Sequence, residues 1–137
     1  MKKRDFIVVF SSLKAGKHVF EYSLDATFFA QFANPETEGF QKAEIILEFV
    51  KTNLTMEMNF TFSGLLSTND DDSGEHFDLP THNAFRVVVK FGEVFDDTDP
   101  EILVLPQGEY ELDVSQYLYE LAVLSIPLRK SKNEIKN

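Results

Sequence analysis

The sequence predicts an α+β protein: an antiparallel sheet of five to seven strands, open or rolled into a partial barrel, covered by two short helices. Three observations carry this. Ala43, Ile45, Leu47 and Phe49, and then Leu54, Met56, Met58, Phe60 and Phe62, alternate with polar neighbours. A period of two buries one face of a strand and wets the other, the mark of an antiparallel sheet covered on one side. Near the C-terminus the spacing changes to three and four, through Val114, Tyr117, Leu118, Leu121, Ala122 and Ser125, which is helical. The length, 137 residues, fits one domain that can bury roughly two-thirds of its unfolded surface without a staple.

The elements follow in order. Residues 5–13, DFIVVFSSL, form a β-branched and aromatic run that reads as a strand buried on both faces. Lys14-Ala15-Gly16-Lys17 supplies a turn, and His18 to Leu24 alternates as a second strand, so 5–24 reads as a hairpin. Asp25 is placed to cap a short helix, ATFFAQFA, whose Phe28, Phe29 and Phe32 give it an apolar face; Asn34-Pro35 ends it. The two alternating stretches then make a long hairpin across Lys51-Thr52-Asn53. A solvated acidic loop, 67–80, separates them from a further alternation at Phe85, Val87, Val89 and Phe91. A second acidic loop, Asp96-Asp97-Thr98-Asp99-Pro100, leads to the short strand EILVL. Asp113 with Gln116 is a capping-box variant that opens the last helix, and Pro127 stops it. The domain ends at residue 128, and 129–137 is a basic, fraying tail.

Composition removes several function classes. There is no Cys, hence no disulfide, thiolate metal site or cysteine nucleophile. The N-terminal apolar run stops after Phe10, too short for a signal peptide core or a membrane span, so a cytoplasmic protein is expected. The net charge of −10 is unevenly spread. Residues 1–17 carry +4 and residues 129–137 carry +3, whereas 18–128 holds four basic and twenty-one acidic residues, a net −17. Such a body repels phosphate backbones and attracts basic partners. Phosphate-binding and dinucleotide glycine motifs and the Gly-x-Ser-x-Gly elbow are absent.

The densest chemistry lies in NDDDSGEHFDLP, where Asp70, Asp71, Asp72, Glu75, His76 and Asp78 crowd into nine positions. A calcium loop of the EF-hand kind needs Gly at its sixth position and Glu at its twelfth; counted from Asp70, those are Glu75 and Thr81, so the register fails. His76 and His82 match no common zinc spacing. A carboxylate pair for hydrolysis needs rigid, buried placement, which a solvated loop does not give. A metal-dependent hydrolase built on Asp70, Asp71, Asp72, Glu75 and His76 therefore stays an alternative reading, as does a dimeric scaffold that associates through exposed strand edges.

The C-terminal third, RVVVKFGEVFDDTDPEILVLPQGEYELDVSQYLYELAVLSIPLR, resembles the YceD family, the large ribosomal RNA subunit accumulation proteins. The matching positions are Lys90-Phe91-Gly92-Glu93, Asp113-Val114-Ser115, and Tyr119-Glu120 through Leu124 to Pro127. SSLKAGKHVFEYSLDATFFAQF is similar to the family's opening hairpin and Phe-Phe helix, and the acidic loops most resemble Bacteroidetes members. Many members carry Cys-Asp-x-Cys before Glu-x-Phe. Aligned on Phe77, Asp70 and Ser73 stand where the cysteines would be, so this chain lacks the pair and any metal or redox role it serves. The resemblance implies a part in accumulating or processing large-subunit ribosomal RNA; together with the absent catalytic constellations it leads to a noncatalytic factor with no cofactor. Combined with the acidic body, it leads to a basic ribosomal protein or assembly intermediate as partner. The expected contacts are Asp70, Asp71, Asp72, Glu75 and Asp78 in one patch and Glu93, Asp96, Asp97, Asp99 and Glu101 in another, with RNA touched at most through the basic ends.

Overall fold

The computed structural model describes residues 3–132. Its order is β1 (Ile7–Val8), β2 (Gly16–Leu24), α1 (Ala26–Ala30), β3 (Phe40–Lys51), β4 (Met56–Asn69), β5 (His76–Gly92), β6 (Asp96–Asp99), β7 (Ile102–Pro106), β8 (Leu112–Asp113) and α2 (Ser115–Ser125). Six strands form one sheet in the order β2-β3-β4-β5-β7-β6, while β1 and β8 pair separately. The α+β class and the largely antiparallel sheet agree with the sequence reading. The sheet has two free edges, β2 and β6, and is not closed into a barrel.

The period of two explains the meander β3-β4-β5. Ala43, Ile45, Leu47 and Phe49 on β3, Met56, Met58, Phe60 and Phe62 on β4, and Val87 and Val89 on β5 all point to one buried face. The register places Phe49 opposite Met58 and Met58 opposite Val87, so the apolar rows continue from strand to strand. Both helices pack on this face. Asp25 caps α1, its Oδ1 accepting the Phe28 N–H at 3.2 Å. Phe28 and Phe29 are buried, and Phe29 stacks on Phe40. Phe32 lies parallel to Tyr119 of α2, ring centroids 3.9 Å apart, and the Tyr119 hydroxyl accepts a hydrogen bond from Asn34 Nδ2 at 2.8 Å. Thus Tyr119 ties α2 to the segment that follows α1. The phenylalanine-rich composition is largely spent on this one layer between sheet and helices.

Several expectations are corrected. DFIVVFSSL is not a strand but two 3-10 turns, Lys3–Phe6 and Phe10–Ser12, around the two-residue β1. Its apolar residues Phe6, Val8 and Phe10 are buried, and of the three only Val8 lies in a ladder, opposite Leu112. Lys51 Nζ donates to the Phe10 and Leu13 carbonyls at 2.8 and 2.9 Å, satisfying backbone that a strand would have paired. No hairpin spans 5–24: β1 pairs with β8, and β2 pairs with β3. Leu54 lies in the β3–β4 turn and is 88% exposed, outside the alternation. The acidic loop shrinks to 70–75, because β4 runs to Asn69 and β5 starts at His76. Asp96-Asp97-Thr98-Asp99 is an edge strand, and the chain returns from it as β7 into the space beside β5, making the one parallel pair among the described residues. No helix among the described residues is long and apolar enough to cross a membrane.

Candidate functional site

Two acidic regions were expected, and the structure treats them differently. The first, Asp70 to Glu75, closes the β4–β5 hairpin and is covered by the chain's own basic end. Asp70 is only 7% exposed. Its Oδ1 accepts the backbone N–H groups of Asp72 and Ser73 at 2.8 and 3.0 Å, and its Oδ2 accepts that of Lys132 at 2.7 Å. The Lys132 amide, with the Ser73 and Asp72 amides behind it, lowers the Asp70 pKa to about 2. Asp71 exchanges bonds with Lys130 in both directions: its N–H donates to the Lys130 carbonyl at 2.9 Å, and its Oδ2 accepts the Lys130 N–H at 2.7 Å. Asp72 pairs with Arg129, and Glu75 with Lys132 at 3.3 Å. Residues 129–132 are therefore a docked strap and not a fraying tail; 133–137 lie outside the described residues. Asp78 instead accepts from Gln41 Nε2 at 2.9 Å, and His76 faces Ser67 and Asp78. Among the described residues no group of three or more His, Asp or Glu side chains is placed to hold a metal ion.

The second region is open. Glu93, Asp96, Asp97, Asp99 and Glu101 are all exposed, on or beside the edge strand β6. Asp96 is used locally: its Oδ1 accepts the hydroxyl and N–H of Thr98 at 2.7 and 2.9 Å, which hold its pKa below the ordinary value. Asp99 accepts the Glu101 N–H at 2.8 Å. These turns fix the carboxylates in place but leave their charge facing outward.

Between β6 and α2 lies a groove of about 460 Å³. Its floor is apolar, from Phe85, Leu103, Leu112 and Tyr117; Phe95, 55% exposed, stands at its lip. Asp97 and Asp99 border one side, and Asp113 and Glu120 the other. Asp113 ends β8 and Glu120 lies in the second turn of α2; both line the groove, together with Gln116 and Tyr117. Glu120 accepts from Gln116 Nε2 at 3.2 Å, and Asp113 Oδ1 accepts the Ser115 N–H at 2.9 Å. Asp113 so precedes the N-cap, which is Val114, and Gln116 does not reach back as a capping box requires. None of the four carboxylates has a Lys or Arg within ion-pair distance among the described residues. The electrostatic result is visible at Tyr117: burial first, then the charges of Glu120 and Asp97, push its phenol up to about 12.

The remaining motif residues are structural or scattered. Gly92 leaves room for Val104, whose Cγ1 a Cβ there would meet at 2.7 Å across the parallel pair. Phe91 packs on Phe10, Lys90 is exposed at the end of β5, Leu124 is 71% exposed, and Pro127 follows α2. Sequence reasoning found Asp97, Asp99, Asp113 and Glu120 but not their convergence, and it missed Phe85, Phe95 and Tyr117. The spacing of Gln116, Tyr117 and Glu120 along one face of α2 was the available signal. Comparisons with family models, with curated proteins and with solved structures find no match to this chain, so the likeness to the YceD family rests on the short stretches quoted above.

Proposed function

We propose that this is a noncatalytic, cytoplasmic binding protein that supports large-subunit ribosomal RNA accumulation by holding a basic segment of a ribosomal protein or assembly intermediate. The observation that carries the binding reading is the groove: an apolar floor ringed by Asp97, Asp99, Asp113 and Glu120, with no ion-paired Lys or Arg among the described residues to satisfy them. A segment with Lys or Arg flanking an apolar side chain meets both requirements, since the floor rewards apolar burial and the rim rewards positive charge. The ribosomal setting comes from the resemblance in the last third of the chain, in which Glu93, Asp113, Tyr119 and Glu120 take part. The first acidic patch contributes less, because Asp70, Asp71, Asp72 and Glu75 are engaged by residues 129–132. Direct RNA contact fits poorly: an exposed acidic patch repels phosphates, and Arg129 and Lys132 of the basic end are already paired.

The test is kinetic binding of purified large-subunit ribosomal proteins and of bare ribosomal RNA to the wild type and to Asp97→Asn/Glu120→Gln. The expected result is saturable binding of a basic protein that the double variant weakens about tenfold or more. Tight binding of bare RNA that the double variant leaves intact or improves would overturn the reading.

A further inference from the structure

We propose that the protein pairs with a second copy of itself through the free edge of β2, in antiparallel register centred on Val19. The strand is one of the sheet's two edges and runs nine residues, Gly16–Leu24, with no Pro and no bulge along its pairing with β3. Long open edges of this kind are templates for strand addition.

Which backbone groups face outward follows from the ladder. Thr52 N–H donates to the Thr55 carbonyl at 2.9 Å, so 52 and 55 form a hydrogen-bonded pair at the β3–β4 turn. Antiparallel pairs alternate between bonded and non-bonded, so on β3 the even residues from Glu44 to Val50 turn their backbone to β4 and the odd ones from Ala43 to Lys51 turn theirs to β2. In the β2–β3 register, Phe49 lies opposite His18, Leu47 opposite Phe20 and Ile45 opposite Tyr22. Hence His18, Phe20 and Tyr22 bond to β3, while Lys17, Val19, Glu21 and Ser23 present free N–H and C=O groups at the edge. The side chains of these four are exposed on the uncovered face of the sheet, Val19 at 56%.

A twofold axis through Val19 converts that edge into a complementary interface. Val19 then forms a bonded pair with its own copy, and Lys17 forms one with Glu21 of the second copy, once on each side of the axis. Every outward group from 17 to 21 finds a partner of the right parity. The apolar Val19 side chains meet, and each opposite-charge pair stands at cross-strand contact distance. Lys17 already leans toward Glu48 at 3.1 Å on the same face, and Glu21 has no cation of its own among the described residues. Centring the axis on Glu21 would oppose two like charges. The other sheet edge is unsuited to self-pairing: β6 is four residues long, and two copies would bring Asp96, Asp97 and Asp99 against one another. An interface with one copy's patch against the same patch is the usual form of a homodimer.

The experiment is sedimentation or light scattering of the full chain across a dilution series. The wild type should pass from dimer to monomer as it is diluted. Val19→Pro should be monomeric yet folded, because the Val19 N–H points away from β3 and a proline there removes no ladder bond. Lys17→Glu alone places Glu against Glu, and Glu21→Lys alone places Lys against Lys, so each should weaken self-association about tenfold. Mixed in equal amounts, the two variants should pair with each other, and the double variant Lys17→Glu/Glu21→Lys should recover its own dimer. Circular dichroism of each variant separates lost pairing from lost folding. A wild type that stays monomeric throughout, a dimer indifferent to Val19→Pro, or charge variants that mixing does not rescue would each overturn the proposal.

Discussion

Asp70 shows how a residue that reads as solvated in the sequence can be a fixed structural anchor. Three backbone N–H groups converge on its carboxylate, one of them from Lys132. Its folded pKa, about 2, lies below the ordinary value of 3.8. The stabilisation it gives is therefore complete above about 3.8 and lost as the pH falls through about 2. Asp70→Ala should speed hydrogen exchange at the amides of Ser73 and Lys132 while leaving the centre of β4 protected. Unchanged exchange at Lys132 would show that the strap is held elsewhere. Tyr117 carries the opposite sign. Its phenol is raised to about 12, so its contribution is present below 10 and is lost as pH rises through about 12. Titration of phenolate absorbance should show this late ionisation, and Asp97→Asn or Glu120→Gln should move it down. Equal titration in all three proteins would separate the carboxylates from the ring. Asp113→Ala removes the acceptor of the Ser115 N–H and should cost about 1 kcal/mol in thermal unfolding, with helix content kept.

Legibility at the level of the element follows the physics of each segment. The strands β3, β4 and the second half of β5 were readable because one face is buried against helices, and burial writes a period of two into the residues. The ends of β4 and β5 were not, since Ser67, Thr68, Asn69, His76, Asp78 and Pro80 resemble loop residues and are held in the ladder by their partners across the hairpin. DFIVVFSSL misled because apolar burial alone does not distinguish a strand from 3-10 turns pressed on the same core. The pairing of β7 beside β5 was hidden because the chain passes through β6 first, and the groove was hidden with it: Asp97 and Asp113 line it together only once β6 and β8 are placed. Gly39 was also silent in the sequence, although it precedes β3 and approaches β4 closely. Its carbonyl accepts the Ser67 N–H at 2.7 Å, and a Cβ at Gly39 would collide with the Ser67 carbonyl oxygen. A backbone atom cannot swing away as a side-chain tip can. Gly39→Ala should therefore lower the denaturant midpoint by an amount equivalent to about 1–3 kcal/mol. A midpoint equal to wild type would mean that the β3–β4 junction shifts freely.

For the molecule as a whole, charge is partitioned and not merely negative. The loop 70–75 is matched by Arg129 and Lys132, so part of the −17 carried by residues 18–128 is neutralised within the chain. Among the carboxylates with no Lys or Arg ion pair among the described residues, Glu93, Asp96, Asp97, Asp99 and Glu101 form a run on and beside β6. Such exposed charges act over about 10 Å at 0.1 M salt, and they speed encounter more than they prolong residence. A basic partner should therefore bind with an association rate that falls steeply from low to moderate ionic strength. Asp96→Asn/Asp97→Asn/Asp99→Asn should lower that rate more than it raises dissociation. Asp71→Asn/Asp72→Asn should act differently, loosening the strap and changing stability before it changes the rate. Surface-immobilised kinetics at several salt concentrations separate the two sets. If the variants at 71 and 72 slow association as much as those at 96, 97 and 99, then the strap opens in solution and both acidic regions meet the partner. If only the second set does, the partner approaches the β6 side, where the groove lies, and an apolar side chain flanked by Lys or Arg can settle on Tyr117 and Phe85.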